Sequence, residues 1–247
     1  MIMDIDERDE ERRQREIRRS RTAWQKMKRK RFIKKKMSTK NLERLCRENA
    51  SDLPTIIVHS EDVEFAEYFP NAFTVTKRRS KPADMHVDKY YENLSSIESE
   101  SFDVALCTGL LEHVPNPQKL INELHRILRP GGKLILSGSA VFSYHEGPDN
   151  FFMFTKWGME HLLREWSEVV SISGSSQPFE TVGILMQRAL LQCDMNPFVR
   201  PLVELLAHIV PVFDRAVQMQ YDSSWKFSDE HKVDSMMPSN VFAVVRK

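Results

Sequence analysis

Glycine is absent from the first 108 residues of this chain, and the first of its eight glycines is Gly109. Glycine allows a backbone to turn through left-handed conformations and to approach a ligand closely. A glycine-rich ligand-binding loop is therefore excluded from the N-terminal part of the chain. Any such close approach has to begin at Gly109.

Cysteines and long apolar runs are also scarce. Cys46, Cys107 and Cys193 are scattered and form no Cys-x-x-Cys pair, which argues against a zinc site or a disulfide framework and favours a reducing compartment. The N-terminus has no apolar run, so we expect no signal peptide. The apolar region 184–213 is interrupted by charges and prolines, whereas a transmembrane helix needs about 20 mostly apolar residues. We expect a cytoplasmic protein, with peripheral membrane association left open.

The charges are unevenly distributed, although the net charge is only +1. Residues 17–36 carry eleven Lys or Arg residues and no acid. We predict that residues 1–40 form a basic arm, helical or disordered, which precedes a domain at 41–247. Clustered cations would suit an anionic partner, either a membrane or a nucleic acid. A solvated tail is the simpler explanation.

Short apolar runs separated by helical patterns predict an α/β fold. Asn116 and Pro117 form a helix start, and Arg129-Pro130-Gly131-Gly132 predicts the end of that helix, with a strand from Lys133. This strand–helix–strand unit is typical of parallel sheets. We predict a three-layer sandwich with a mainly parallel, seven-stranded sheet and an antiparallel last strand. The other predicted elements are strands at 55–60, 72–76, 84–87, 102–109, 168–173 and the C-terminus, a helix at 156–166 and a helical insert at about 182–220.

Two segments carry a family resemblance. FDVALCTGLLEHVPNPQKLINELHRILRPGGKLILSG, from Phe102 to Gly138, resembles the fourth strand, helix and fifth strand of class I S-adenosylmethionine (SAM)-dependent methyltransferases of the type 11 kind. YHEGPDNFFMFTKWGMEHLL, from Tyr144 to Leu163, is similar to a subgroup often linked to polysaccharide or cell-surface biosynthesis. The resemblance implies a Rossmann-like fold, SAM as cofactor, and methyl transfer to an oxygen or nitrogen of a small molecule or glycan.

The resemblance also indicates where the cofactor would bind. The loop after the first strand has no glycine, and the second strand ends at Thr76 where an acid would normally hold the ribose. Two interpretations remain open: SAM binds in an altered manner, or the domain is an inactive adaptor that acts through its basic arm. The expected cofactor-binding residues are Ser60, Asp62, Asp88, Cys107, Thr108 and Gly109.

Two histidines are candidates for acid–base chemistry. His145 lies in the loop after the fifth strand, which should face the acceptor, and we expect it to be the catalytic residue. A loop histidine bonded to the backbone is the alternative. His113 has a side-chain type that titrates near neutral pH, but in the resembling family the Glu112-His113 pair mainly packs or caps. The sequence predicts no metal site.

Overall fold

The computed structural model describes residues 36–58, 63–79, 82–87, 90–220 and 234–247. Nearly all of the predicted basic arm lies outside these ranges, so its conformation stays a prediction. The strands are β1 (Thr55–Val58), β2 (Ala72–Thr76), β3 (Met85–His86), β4 (Phe102–Cys107), β5 (Leu128–Ser139), β6 (Glu168–Gly174) and β7 (Asn240–Arg246). The α-helices are α1 (Met37–Glu48), α2 (Pro117–Ile127), α3 (Lys156–Leu162), α4 (Pro178–Gln192) and α5 (Arg200–Ile209). Single 3₁₀ segments cover Val63–Tyr68, Leu111–His113 and Val210–Ala216.

The seven strands form one sheet in the order β3-β2-β1-β4-β5-β7-β6. The pairs from β3 through β5 are parallel, and β7 is antiparallel to both β5 and β6. The predicted seven-stranded, mainly parallel sheet with an antiparallel last strand is therefore confirmed. Such sheets need cover on both faces, because parallel strands expose apolar side chains to each side.

The side chains of the central strands alternate between two hydrophobic cores. Leu106 and Ile135 pack with Leu45 of α1 on one face, whereas Ala105 and Leu134 belong to the core that contains α2 and α3. The period of two follows from strand geometry, in which successive side chains point to opposite faces. The result is the predicted three-layer sandwich of helices, sheet and helices.

The helix α2 begins where the sequence predicts. The side chain of Asn116 accepts a hydrogen bond from the Lys119 amide, and Pro117 occupies the first helical turn. Leu120 and Leu124, which are fully buried, place the apolar face of the helix on the sheet. The strand-four to strand-five unit is therefore anchored by both capping and burial.

The predicted start of β5 at Lys133 is wrong, because β5 begins at Leu128. Gly131 takes the predicted left-handed conformation, with φ of 75°. However, its amide donates to the Lys247 carbonyl, and the Gly132 carbonyl accepts from the Lys247 amide. These bonds to the C-terminal residue extend the strand back through the turn.

The helical insert begins at Pro178, slightly earlier than predicted, and its helices α4 and α5 pack on each other. Gly183 lies at their contact, where an added Cβ would stand 2.5 Å from the Ala207 carbonyl oxygen. The outer side of α5 is apolar but exposed at Leu202 and Leu205, and Phe198, just before the helix, is also exposed. Within the described ranges, no helix is long and apolar enough to cross a membrane.

Candidate functional site

The strand order changes direction between β1 and β4. β2 and β3 lie on one side of this pair and β5 on the other, and Val58 at the end of β1 is paired with Cys107 at the end of β4. In open α/β sheets, ligands bind beyond the carboxyl ends of the strands at such a crossover. The loops that follow Val58 and Cys107 are therefore the expected walls of a cofactor site.

Gly109 leaves open space in the loop after β4. Its φ is 62°, and its amide donates to the Ser137 hydroxyl at 2.9 Å. A Cβ added at this position would meet no heavy atom of the described residues within 4 Å. The backbone is thus turned by a glycine and held from the neighbouring strand, with space beside it for a ligand.

The other two residues predicted in this loop differ in accessibility. Thr108 is half-buried, whereas Cys107 is completely buried in the hydrophobic core. Burial raises the pKa of the Cys107 thiol, and the Glu112 carboxylate raises it further. The Cys107 side chain is therefore a core group, and only its backbone is placed to reach a cofactor.

The end of β2 carries no acid. The hydroxyl of Thr76, which is fully buried, accepts a hydrogen bond from the Arg78 amide at 3.2 Å. The Tyr91 hydroxyl accepts from the Lys77 amide at 2.8 Å, and the Tyr91 side chain is buried in the core. The Tyr91 hydroxyl thus accepts from the Lys77 amide at the position where the methyltransferases that this sequence resembles would present a carboxylate to the ribose. The predicted cofactor residues Ser60, Asp62 and Asp88 lie outside the described residues.

Glu112 is a buried carboxylate at the same edge of the sheet. It follows Gly109 by one short turn and belongs to the 3₁₀ segment Leu111–His113. It is 1% exposed, and the hydroxyl and the amide of Ser139, at the end of β5, both donate to it. Hydrogen bonds to a buried carboxylate offset part of the cost of removing its charge from water.

His113 and His145 converge on this carboxylate. The two Nε2 atoms are 3.1 Å apart, and Nε2 of His145 is 3.9 Å from Oε1 of Glu112. The rings meet edge to face, with centroids 4.7 Å apart. β4 and β5 are neighbouring parallel strands, so the loops that follow them meet at one edge and bring these three side chains together.

Backbone carbonyls fix the orientation of both rings. Nδ1 of His113 lies 2.5 Å from the Asp149 carbonyl oxygen, and Nδ1 of His145 lies 3.0 Å from that of Ser143. A carbonyl oxygen only accepts, so each Nδ1 carries the hydrogen and each neutral ring has its lone pair on Nε2. Both lone pairs therefore face the same small region beside Glu112.

The environment of His145 disfavours its charged form. Burial lowers its pKa, and a positive charge on Arg188 or on a protonated His113 lowers it further, while the Ser143 carbonyl and Glu112 raise it. A neutral imidazole with a free Nε2 lone pair can accept a proton or coordinate a metal ion. The chemistry available here is thus that of a base or a ligand set.

The helical insert holds the loop that carries His145. Nε of Arg188, on α4, donates to the Ser143 hydroxyl at 2.8 Å, and its guanidinium lies 4.9 Å from the centre of the Phe142 ring. Gln192 donates to the Tyr144 carbonyl oxygen. The loop after β5 is thus tied to α4 on one side and, through Asp149, to His113 on the other.

The sequence interpretation considered acid–base chemistry for His113 but favoured packing for the Glu112-His113 pair. Both residues are indeed buried, but they also contact the His145 loop. The signal that would have found them was topological: the carboxyl ends of adjacent parallel strands share an edge. The ring directions depend on the Ser143 and Asp149 carbonyls, which have no sequence signature.

The comparisons with known proteins concern the domain and its fold. Residues 37–136 match the family model described as a methyltransferase domain. A ubiquinone biosynthesis O-methyltransferase from Hahella chejuensis is 32% identical over 112 residues, which is 42% of this chain and 42% of that protein. One from Xanthomonas oryzae is 37% identical over 71 residues, or 28% of this chain and 30% of that protein. The chain thus spans less than half of the length of these curated relatives.

Solved structures extend the likeness of fold to most of the chain. A SAM-dependent methyltransferase from Archaeoglobus fulgidus has a TM-score of 0.52 at 10% identity, covering 84% of this chain and 94% of its own. The [4+2]-cyclase SpnF has the same TM-score at 15% identity, covering 83% of this chain and 79% of its own. At such identities the likeness concerns the fold. Together with the match over residues 37–136, it shows that this chain has the fold of SAM-dependent methyltransferases.

Proposed function

We propose that this protein is an active SAM-dependent methyltransferase that methylates an oxygen nucleophile of a small molecule or glycan. The observation that carries the proposal is the open backbone at Gly109, at the crossover of a sheet whose family uses SAM. The names of the curated relatives, O-methyltransferases of ubiquinone biosynthesis, support oxygen over nitrogen. The glycan alternative is supported by the resemblance of the segment Tyr144–Leu163.

The cofactor would be held mainly by backbone. The residues of this chain that we assign to it are Ser60, Asp62, Asp88, Cys107, Thr108 and Gly109. When bound, SAM supplies an activated methyl group, and the protein has to bind, orient and desolvate the reactants. Gly109 fits this role because its amide is fixed by Ser137 and the space beside it is open. A bulky residue at this position would fill that space.

His145 is our candidate for the residue that receives the acceptor proton. Its Nδ1 hydrogen is committed to the Ser143 carbonyl oxygen, so Nε2 is the atom available to accept a proton. Glu112, 3.9 Å away, would stabilise the resulting imidazolium. This assignment requires an acceptor hydroxyl within hydrogen-bonding distance of Nε2.

Calorimetric titration with SAM and with S-adenosylhomocysteine tests cofactor binding. We expect a dissociation constant in the micromolar range for a functional site. Transfer of labelled methyl from SAM to panels of phenols and of sugars then tests the acceptor class. A protein that is folded by circular dichroism but binds neither compound at millimolar concentration would refute the proposal.

One observation favours a second candidate, an inactive adaptor. Tyr91 and Thr76 already satisfy the backbone amides at the end of β2, so no carboxylate is presented there by the described residues. The basic residues 17–36 would then provide the interaction with an anionic membrane or nucleic acid. Removal of residues 1–35 discriminates the two: an adaptor loses vesicle or nucleic-acid binding, while an enzyme retains SAM affinity.

A further inference from the structure

The cluster of Glu112, His113 and His145 brings two imidazole nitrogens and a carboxylate together at one point. Both Nδ1 atoms donate to carbonyl oxygens, so two neutral rings present lone pairs to each other across 3.1 Å. Two acceptors at this distance repel each other. The arrangement is stable when a positive centre lies between them, either a proton on one of the two rings or a metal ion.

We propose that Glu112, His113 and His145 bind a divalent transition-metal ion of the zinc or ferrous class. One atom from each side chain lies within 4.8 Å of the other two, which is the separation expected of ligands around one ion. Two ligands at about 2.0–2.1 Å from a tetrahedral metal are about 3.3–3.4 Å apart. The observed separations of 3.1 Å and 3.9 Å lie on either side of that value.

The donor set selects the class of metal. Two imidazoles and one carboxylate form the ligand set of open catalytic zinc sites and of non-haem ferrous sites. Calcium and magnesium prefer oxygen ligands, so this set does not suit them. Since the chain supplies three ligands, one or more coordination positions would remain for water or substrate.

Hydrogen bonds from neighbouring groups orient the three proposed ligand side chains. Each histidine donates its distal Nδ1 hydrogen to a backbone carbonyl, and Glu112 is held by Ser139. Such second contacts fix the tautomer and the direction of the ligand atom. In addition, Nδ2 of Asn150 is buried and has no hydrogen-bond partner among the described residues, while its Oδ1 accepts from the His145 amide. An unused donor beside the cluster suits an oxygen ligand on a bound ion.

This site goes beyond the proposed function, because metal binding stands or falls independently of methyl transfer. With an ion bound, Nε2 of His145 is a ligand and is no longer free to act as a base. The ion would then lower the pKa of a coordinated hydroxyl or water. His145 cannot act as a base and as a metal ligand at the same time, because both roles use Nε2. A direct measurement of metal binding distinguishes them.

The test uses the full chain without a polyhistidine tag, treated with chelator and dialysed. Titration with Zn²⁺, with Co²⁺ as a spectroscopic probe and with Fe²⁺ under anaerobic conditions should show one equivalent bound. Tetrahedral coordination predicts visible d–d absorption of the Co²⁺ form. X-ray absorption at the zinc edge should show two imidazole ligands.

Variants locate the site on the chain. Glu112→Gln and His145→Gln should each lose at least about tenfold in affinity, and Ser139→Ala about tenfold or more through its effect on Glu112. His161→Gln, a histidine exposed on α3, is the matched control and should bind as the wild type does. Equal affinity for His145→Gln and the wild type would overturn the proposal. Should the variants fail to fold, wild-type protein that binds no ion, or a bound ion without two imidazoles, would also overturn it.

Discussion

Nε2 of His113 faces Nε2 of His145 at 3.1 Å, although the two residues come from loops after different strands. The contact exists because β4 and β5 are adjacent and parallel, so both loops emerge at one edge of the sheet. The Nε2 lone pairs of the two rings point towards each other beside the buried Glu112 carboxylate, so a positive charge is favourable at this place. At Gly109, on the same edge, an added Cβ would meet no atom of the described residues within 4 Å, so the two parts of the site differ.

Replacing Gly109 with alanine should weaken cofactor binding more than it weakens the fold. Alanine at φ of 62° costs about 1 kcal/mol because its Cβ is strained in the left-handed region. The new methyl group would also occupy the space assigned to SAM. We expect at least a tenfold loss of affinity for S-adenosylhomocysteine, on the order of 1.4 kcal/mol, measured by calorimetry.

Gly131→Ala is the matched control. Gly131 has φ of 75° and equally open space, but it lies at the opposite end of β5, near the C-terminus of the chain. It should lose similar stability and keep wild-type affinity. The same affinity loss in both variants would refute the cofactor position.

Gly183→Ala should destabilise the helical insert. The added Cβ would lie 2.5 Å from the Ala207 carbonyl oxygen and 3.0 Å from Cε of Met37, so α4 and α5 would have to separate. Overpacking of this kind costs about 1–3 kcal/mol in the free energy of unfolding. Urea denaturation would measure the loss as a lower midpoint.

Gly158→Ala in α3 tests whether the effect comes from packing. There the nearest atom to an added Cβ is Oγ1 of Thr155 at 3.4 Å, an ordinary contact. Alanine has higher helix propensity than glycine, so we expect a gain of up to about 1 kcal/mol. Opposite signs for the two variants are the predicted result, and a shared sign would contradict it.

The three cysteines should differ sharply in reactivity. Burial raises the pKa of Cys46 to about 12 and raises the pKa of Cys107 as well, so neither forms appreciable thiolate at pH 8. Cys193 is exposed at the end of α4. Ellman's reagent should therefore titrate one thiol in the folded protein and three in denaturant. Cys193→Ser should abolish the reaction of the folded state, and rapid labelling that persists in this variant would show that a buried cysteine is accessible.

Glu123 should make the fold sensitive to acid. Hydrogen bonds from Arg126, helped by the Arg126 charge and by the Leu94 amide, lower the pKa of Glu123 despite partial burial. Because the folded-state pKa is below the unfolded value of about 4.3, the stabilisation is present above pH 4.3 and is lost as the pH falls through the folded pKa. The difference in unfolding free energy between wild type and Glu123→Gln should shrink from pH 6 to pH 3. Glu165→Gln, which removes an exposed carboxylate, is the matched control.

The fold could be predicted from the sequence because its elements carry local signals. Asn116 and Pro117 set the start of α2, and the residues from Phe102 to Cys107 form a short apolar strand. The start of β5 could not be predicted, since it depends on bonds from Gly131 and Gly132 to Lys247, far away in the sequence. The Pro130-Gly131-Gly132 sequence indicated a turn before β5, whereas the hydrogen bonds to Lys247 make these residues part of the strand.

The candidate site was predictable in part. Gly109 is recognisable from its place after a strand and before LLEH, and His145 from the similar segment of the family. The contact between His113 and His145 needs the strand order, and the direction of their lone pairs needs the Asp149 and Ser143 carbonyls. Side-chain orientation of this kind is a tertiary property, so composition and spacing do not encode it.

The place of β7 in the sheet also determines an order of events during synthesis. β7 lies between β5 and β6, and among the described residues β6 pairs with no other strand. The parallel part from β3 to β5 can therefore assemble while the ribosome is still producing the helical insert. β6 cannot join the sheet until β7 has been synthesised. Until then the edge of β5 is unpaired and can pair with other nascent chains. A chaperone that acts on this protein would be needed most in that interval.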